Sequence, residues 1–175
     1  MLDMAVIEIV QRANTPAETP QAKLAQQMGA MRPLTKQCVV ESASLQSLEL
    51  IKVLSVLGWE AGRLGLYQRN TDGSYDIGPM QVNSIHLPDL ARKFSRPQAE
   101  IATLLGYDGC FNVAVGSMML RARTNEANGD FWMGIGRYHS KTPAKAARYI
   151  LNVHAVMTEI ANKENNRIQM SAKGS

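Results

Sequence analysis

The sequence predicts a mainly α-helical domain, α+β in detail because one small β-hairpin interrupts the helices. Apolar residues recur at helical spacing through most of the chain, while residues 63–84 are instead rich in Gly, Asn, Asp and Ser. The 175 residues are 45% hydrophobic and 19% charged, an ordinary globular balance that excludes a disordered or collagen-like chain. A chain this long buries roughly 70% of its unfolded surface, enough for a true core. No run of about 18 apolar residues exists, so no transmembrane segment is expected.

The elements follow in order. Residues 3–13 predict a short amphipathic helix that stops before TPAETP, where Pro16 and Pro20 break regularity. A second piece runs from Gln21 to about Met31 and ends at Pro33. Residues 1–35 therefore read as a helical appendage or linker, 36–162 as the main domain and 163–175 as a polar tail that frays. Leu45, Leu48, Ile51, Leu54 and Leu57 form a strong helical stripe, with Ser44 placed as its N-cap and Glu60 at its end. Asp72-Gly73 favours a hairpin turn. Leu87–Phe94, Gln98–Leu105, Cys110–Asn125 and Phe131–Tyr138 read as further helices, and Pro143 opens a last one through about Glu164.

Charge and cysteine usage exclude little. The net charge is +4, which suits an anionic partner, yet the basic residues are scattered and form no nucleic-acid footprint. Cys38 and Cys110 are too few for a zinc site, so no metal is expected; composition leaves open whether they are free or bridged. Gly134 and Gly136 follow no strand, so they are no nucleotide fingerprint, and no cofactor is expected. The first residues do not read as a signal peptide, because Asp3 and Glu8 interrupt the apolar run and no Lys or Arg precedes it. Either the protein stays in the cytoplasm or an export signal has been replaced by an initiating Met.

Glu60 is the informative residue. It follows Trp59 at the end of an apolar helix, where Trp59 and Leu57 can desolvate it. Desolvation raises a carboxyl pKa, as a general acid at neutral pH requires. On position alone a capping or salt-bridged glutamate is the better explanation.

The segment from Asn70 to Ser84, NTDGSYDIGPMQVNS, separates these readings. It resembles the hairpin of the lysozyme superfamily, both in c-type lysozymes and in the small lytic transglycosylases that accompany bacterial type III, type IV and conjugative secretion systems. Glu60 precedes Asp76 by 16 residues and Gln81 by 21, an interval comparable to that family's. Cys110-Phe111-Asn112 through Gly116 is similar to the opening of the family's next core helix, and Gly136-Arg137-Tyr138-His139-Ser140 to its late Tyr motif. The resemblance spans about residues 38–153. Two departures stand out: Ala61 follows Glu60 where many relatives have Ser, and Pro79 stands where goose-type relatives have Leu.

The resemblance implies a lysozyme-like helical domain with the hairpin beside the active-site groove. It implies peptidoglycan glycan strands as substrate, cleaved at the MurNAc-β-1,4-GlcNAc bond with a 1,6-anhydro product, in the periplasm, with secretion or conjugation machinery as possible partners. Glu60 would be acid and then base. Asp76 would be a nucleophile or electrostatic stabiliser, unless it only bonds the hairpin backbone; as nucleophile it would make the protein a lysozyme-type hydrolase. Gln81 and Asn83 would orient glycan or brace the hairpin, Met80 would line the subsite or fill the core, and Tyr138 would set its hydroxyl near Glu60 or the substrate's acetamido group. His139 reads as structural, His86 and His154 as surface or helix residues, and Trp132 as core. Cys38 and Cys110 match family cysteines, which implies a disulfide closing about 70 residues, worth some 4 kcal/mol in the chain-entropy model. A non-catalytic cell-wall-binding assembly factor is the competing class.

Overall fold

A computed structural model describes residues 3–173. In chain order it contains α1 (Asp3–Asn14), α2 (Pro20–Gln27), α3 (Lys36–Leu45), α4 (Leu50–Glu60), β1 (Tyr67–Arg69), β2 (Tyr75–Ile77), β3 (Val82–Asn83), a 3-10 turn (Ser84–His86), α5 (Leu87–Phe94), α6 (Gln98–Tyr107), α7 (Gly109–Glu126), α8 (Phe131–His139) and α9 (Pro143–Lys173). The strands form one antiparallel sheet in the order β1-β2-β3. The fold is mainly α with one small sheet, consistent with a lysozyme-like architecture. No helix among the described residues is long and apolar enough to cross a membrane.

Helix α4 is central because Val53 to Leu57 are all buried, so it is covered on every side. It packs against α1, α3 and α9. Its last turn ends in Ala61, whose left-handed backbone (φ 51°, ψ 21°) stops the helix directly after Glu60. Arg12 of α1 donates to the Leu57 and Gly58 carbonyls at 3.3 and 2.9 Å, a cation placed on the negative end of the helix dipole.

Two apolar clusters make the interior. The larger joins Val6 and Ile9 of α1 to Val39, Leu54, Val113, Ile135 and Val153. The smaller sets Ile77 and Val82 of the sheet against Leu90, Ile101, Leu105 and Val115. Helix α7 feeds both clusters, and Asp108 starts it by accepting from the Phe111 N–H at 2.9 Å, a cap worth about 1 kcal/mol.

The structure departs from the sequence reading in three places. Ser44 caps nothing: it lies in the last turn of α3, and the chain breaks at Ser47 (φ 50°) before α4 begins at Leu50. The segment expected as an appendage contributes Val6, Ile9, Ala13 and Leu34 to the larger cluster, because the apolar stripe of α1 lies on α4 and α9. The tail expected to fray continues α9 as one helix to Lys173, with Arg167 and Glu164 paired at 2.7 Å on successive turns.

Candidate active site

The sheet is locked to the helices by one buried side chain. Asn112, fully buried on α7, donates from Nδ2 to the Ile77 and Leu105 carbonyls, both at 2.9 Å, and accepts from the Met80 N–H at 2.8 Å. Gly78 makes room for it: its φ is +71°, and a Cβ there would lie 2.4 Å from Asn112 Nδ2. The exit of the hairpin is thus held against α6 and α7, and Gly62, just past the carboxyl end of α4, packs on its Gly78 carbonyl.

A cavity of about 360 Å³ opens between the hairpin and the end of α4, lined among others by Glu60, Asp76, Gln81, Asn83, Tyr138 and His139. Glu60 is half-buried and receives a hydrogen bond from the Tyr149 hydroxyl of α9. Burial of its carboxyl is the largest influence and pushes its pKa up to about 7; the Tyr149 bond opposes this, and the negative charge of Asp76 adds to it. The phenols of Tyr149 and Tyr138 are raised well above their ordinary value, first by burial and then by the charge of Glu60. Both remain neutral donors at neutral pH. The site therefore holds one carboxyl that exchanges its proton near neutrality, between groups that stay protonated.

Asp76 sits on β2 opposite Gln68 and Asn83. Its Oδ1 accepts from Asn83 Nδ2 at 2.8 Å. Asn83 also donates to Ser74 Oγ at 3.1 Å and accepts from the Ile85 N–H at 2.9 Å, so its amide braces the sheet while lining the cavity. Gln81 does the same, with Nε2 donating to the Gly78 carbonyl at 2.8 Å. The Tyr138 hydroxyl donates to the Met80 carbonyl at 3.1 Å rather than to Glu60.

Met80 does not line the cavity. Its side chain is fully buried against α7, where a Cβ at Gly116 would lie 2.4 Å from its Sδ, so the subsite role is replaced by core packing. Trp59 is 40% exposed and lines a neighbouring cavity rather than that of Glu60, so the desolvation comes from other walls. His139 stacks on Tyr149 with centroids 4.4 Å apart. Desolvation lowers its pKa, with Asp76 opposing and Lys145 reinforcing. His86 is half-buried and lines the cavity, while His154 is exposed beside Trp132, itself half-buried on the core. Cys38 and Cys110 are joined, with Cα atoms 5.6 Å apart, which ties α3 to the start of α7.

Tyr149 is the residue that sequence reasoning missed. Its spacing from Val153 and Ile160 reads as an ordinary core stripe, and only the crossing of α9 over α4 reveals the hydroxyl's partner. No group of three or more His, Cys, Asp or Glu residues able to hold a metal occurs among the described residues.

No family model matches the chain. It is similar to the protein named Invasion protein IagB of Salmonella typhi, at 25% identity over 138 residues, covering 74% of this chain and 82% of that one. The protein of the same name from Salmonella typhimurium strain SL1344 is 24% identical over 144 residues, covering 77% and 86%.

Proposed function

We propose that the protein is a peptidoglycan lytic transglycosylase with Glu60 as its acid and base. The observation that carries the reading is the buried Glu60 carboxyl, with a pKa of about 7, facing a polar cavity beside the hairpin. At neutral pH about half of the molecules hold the proton there. That fraction can protonate the leaving glycosidic oxygen. The substrate's acetamido oxygen then attacks the anomeric carbon, and Glu60, now a carboxylate, takes the proton of the muramic 6-hydroxyl. The freed O6 attacks the anomeric carbon and displaces the acetamido oxygen, which closes the 1,6-anhydro ring and leaves Glu60 protonated again. Tyr149 positions the carboxyl throughout.

A hydrolytic variant of the same reading rests on Asp76, a second carboxylate in the cavity, which would support attack by water. The likeness to proteins named for invasion accords with local opening of the cell wall for a secretion or conjugation apparatus, and the periplasm is proposed because the substrate lies there. Gln81, Asn83 and Tyr138 are proposed to shape the glycan site. Mass spectrometry of products from purified peptidoglycan tests the proposal: 1,6-anhydromuramyl ends that vanish with Glu60→Gln support it, Glu60-dependent reducing ends replace it by hydrolysis, and no product from folded protein leaves wall binding without catalysis.

A further inference from the structure

A second cavity, of about 430 Å³, adjoins the first, and His139 and Lys145 line both. The stacked rings of His139 and Tyr149 stand at the boundary. The two cavities differ in their balance of charged groups. Around Glu60 the lining includes Glu60, Asp72 and Asp76. The second lining contains Lys145 and Arg148 and no carboxylate.

Both cations are exposed, and neither is paired with a carboxylate among the described residues. They sit on one face of α9 because Lys145, Arg148, Tyr149 and Asn152 follow the i, i+3, i+4, i+7 spacing. Trp59 closes the other side, presenting an indole that is 40% exposed. A fork of guanidinium donors, an ammonium, an amide and an open aromatic face form a receptor for a carboxylate with small apolar groups beside it.

Resting on the glycan-cleavage reading, we infer that this second cavity binds the carboxylates of the peptide carried on the muramyl lactyl group, so that the enzyme prefers peptide-bearing strands. The uncharged sugar rings lie in the acidic cavity and their anionic substituent reaches the basic one.

Binding tests the inference independently of turnover. Glu60→Gln protein is titrated calorimetrically with a GlcNAc-MurNAc tetrapeptide and with the same disaccharide stripped to its lactyl carboxylate. The peptide form is expected to bind about tenfold more tightly, and Arg148→Ala in the same background to erase that preference while leaving the stripped sugar unchanged. Arg148→Glu should invert it, and circular dichroism checks that these surface changes leave the fold intact. Equal affinity for the two ligands, or an equal loss on both with Arg148→Ala, overturns the inference. Failure of wild type to cleave any strand sinks the catalytic reading alone, because the binding preference is read without cleavage.

Discussion

The Tyr149 hydroxyl of α9 donates to the Glu60 carboxyl at the end of α4, across 89 residues of sequence. The bond favours the carboxylate form and so works against the burial that raises the Glu60 pKa to about 7. The consequence can be measured. Tyr149→Phe removes a donor to the carboxylate, so the Glu60 pKa rises and the alkaline limb of kcat/KM moves to higher pH. Glycan cleavage followed from pH 5 to 9 reads that movement; a limb that stays in place, or moves down, shows that Tyr149 does not act on the proton of Glu60.

Removing the carboxyl itself should cost about 10²-fold or more in kcat, the usual worth of a general acid. The same change has an opposite effect on stability. The folded-state pKa of Glu60 is raised from 4.5 to about 7, so its contribution is intact below pH 4.5 and is lost as pH rises through about 7. Wild type should therefore lose on the order of 2 kcal/mol between pH 5 and pH 8 relative to Glu60→Gln. Urea unfolding of both proteins at the two pH values measures this, and parallel pH profiles would remove the burial argument.

Asp76 pushes the Glu60 pKa up, so Asp76→Asn should move the alkaline limb to lower pH, the reverse of Tyr149→Phe. The substitution keeps an oxygen to accept from Asn83 and leaves the sheet intact. If Asp76 only supports Glu60, kcat at pH 5 falls less than about tenfold; a nucleophile would cost about 10²-fold or more.

The disulfide links α3 to α7, joining Cys38 and Cys110 at a sequence separation of 72. Replacing both cysteines by Ser should lower stability by about 4 kcal/mol in the chain-entropy model, and reductant should destabilise wild type but not the variant. Guanidinium unfolding with and without dithiothreitol checks it.

What could be read from the sequence was local chemistry. Glu60 at a helix end and the Asn70–Ser84 turn residues are signals carried by neighbouring positions, and the structure places Glu60, Asp76, Gln81 and Asn83 around one cavity. The break between α3 and α4 was hidden because Leu45, Leu48 and Ile51 keep their helical spacing across Ser47. Residues 165–173 carry too few apolar groups to announce a helix that i,i+3 pairing and propensity sustain. Whether α1 was an appendage depended on what its apolar stripe met, and Met80 and Tyr149 on which way long-range packing turned them. Periodicity reports a buried face but not its partner.

Asn112 carries the last prediction. Its amide makes three buried hydrogen bonds, to Ile77, Leu105 and Met80, and these fix the hairpin that presents Gln81 and Asn83. Asn112→Ala leaves two carbonyls and one N–H buried without partners, at about 1–3 kcal/mol each, so a loss of about 3 kcal/mol or more is expected. Asn112→Asp should be no better, because it keeps the acceptor for Met80 but turns a second oxygen toward two carbonyls. Unfolding midpoints rank the variants, and hydrogen exchange at the Met80 N–H reads the anchor directly. Wild-type protection there in Asn112→Ala would mean that backbone packing alone holds the hairpin against α6 and α7, with no anchoring role for Asn112.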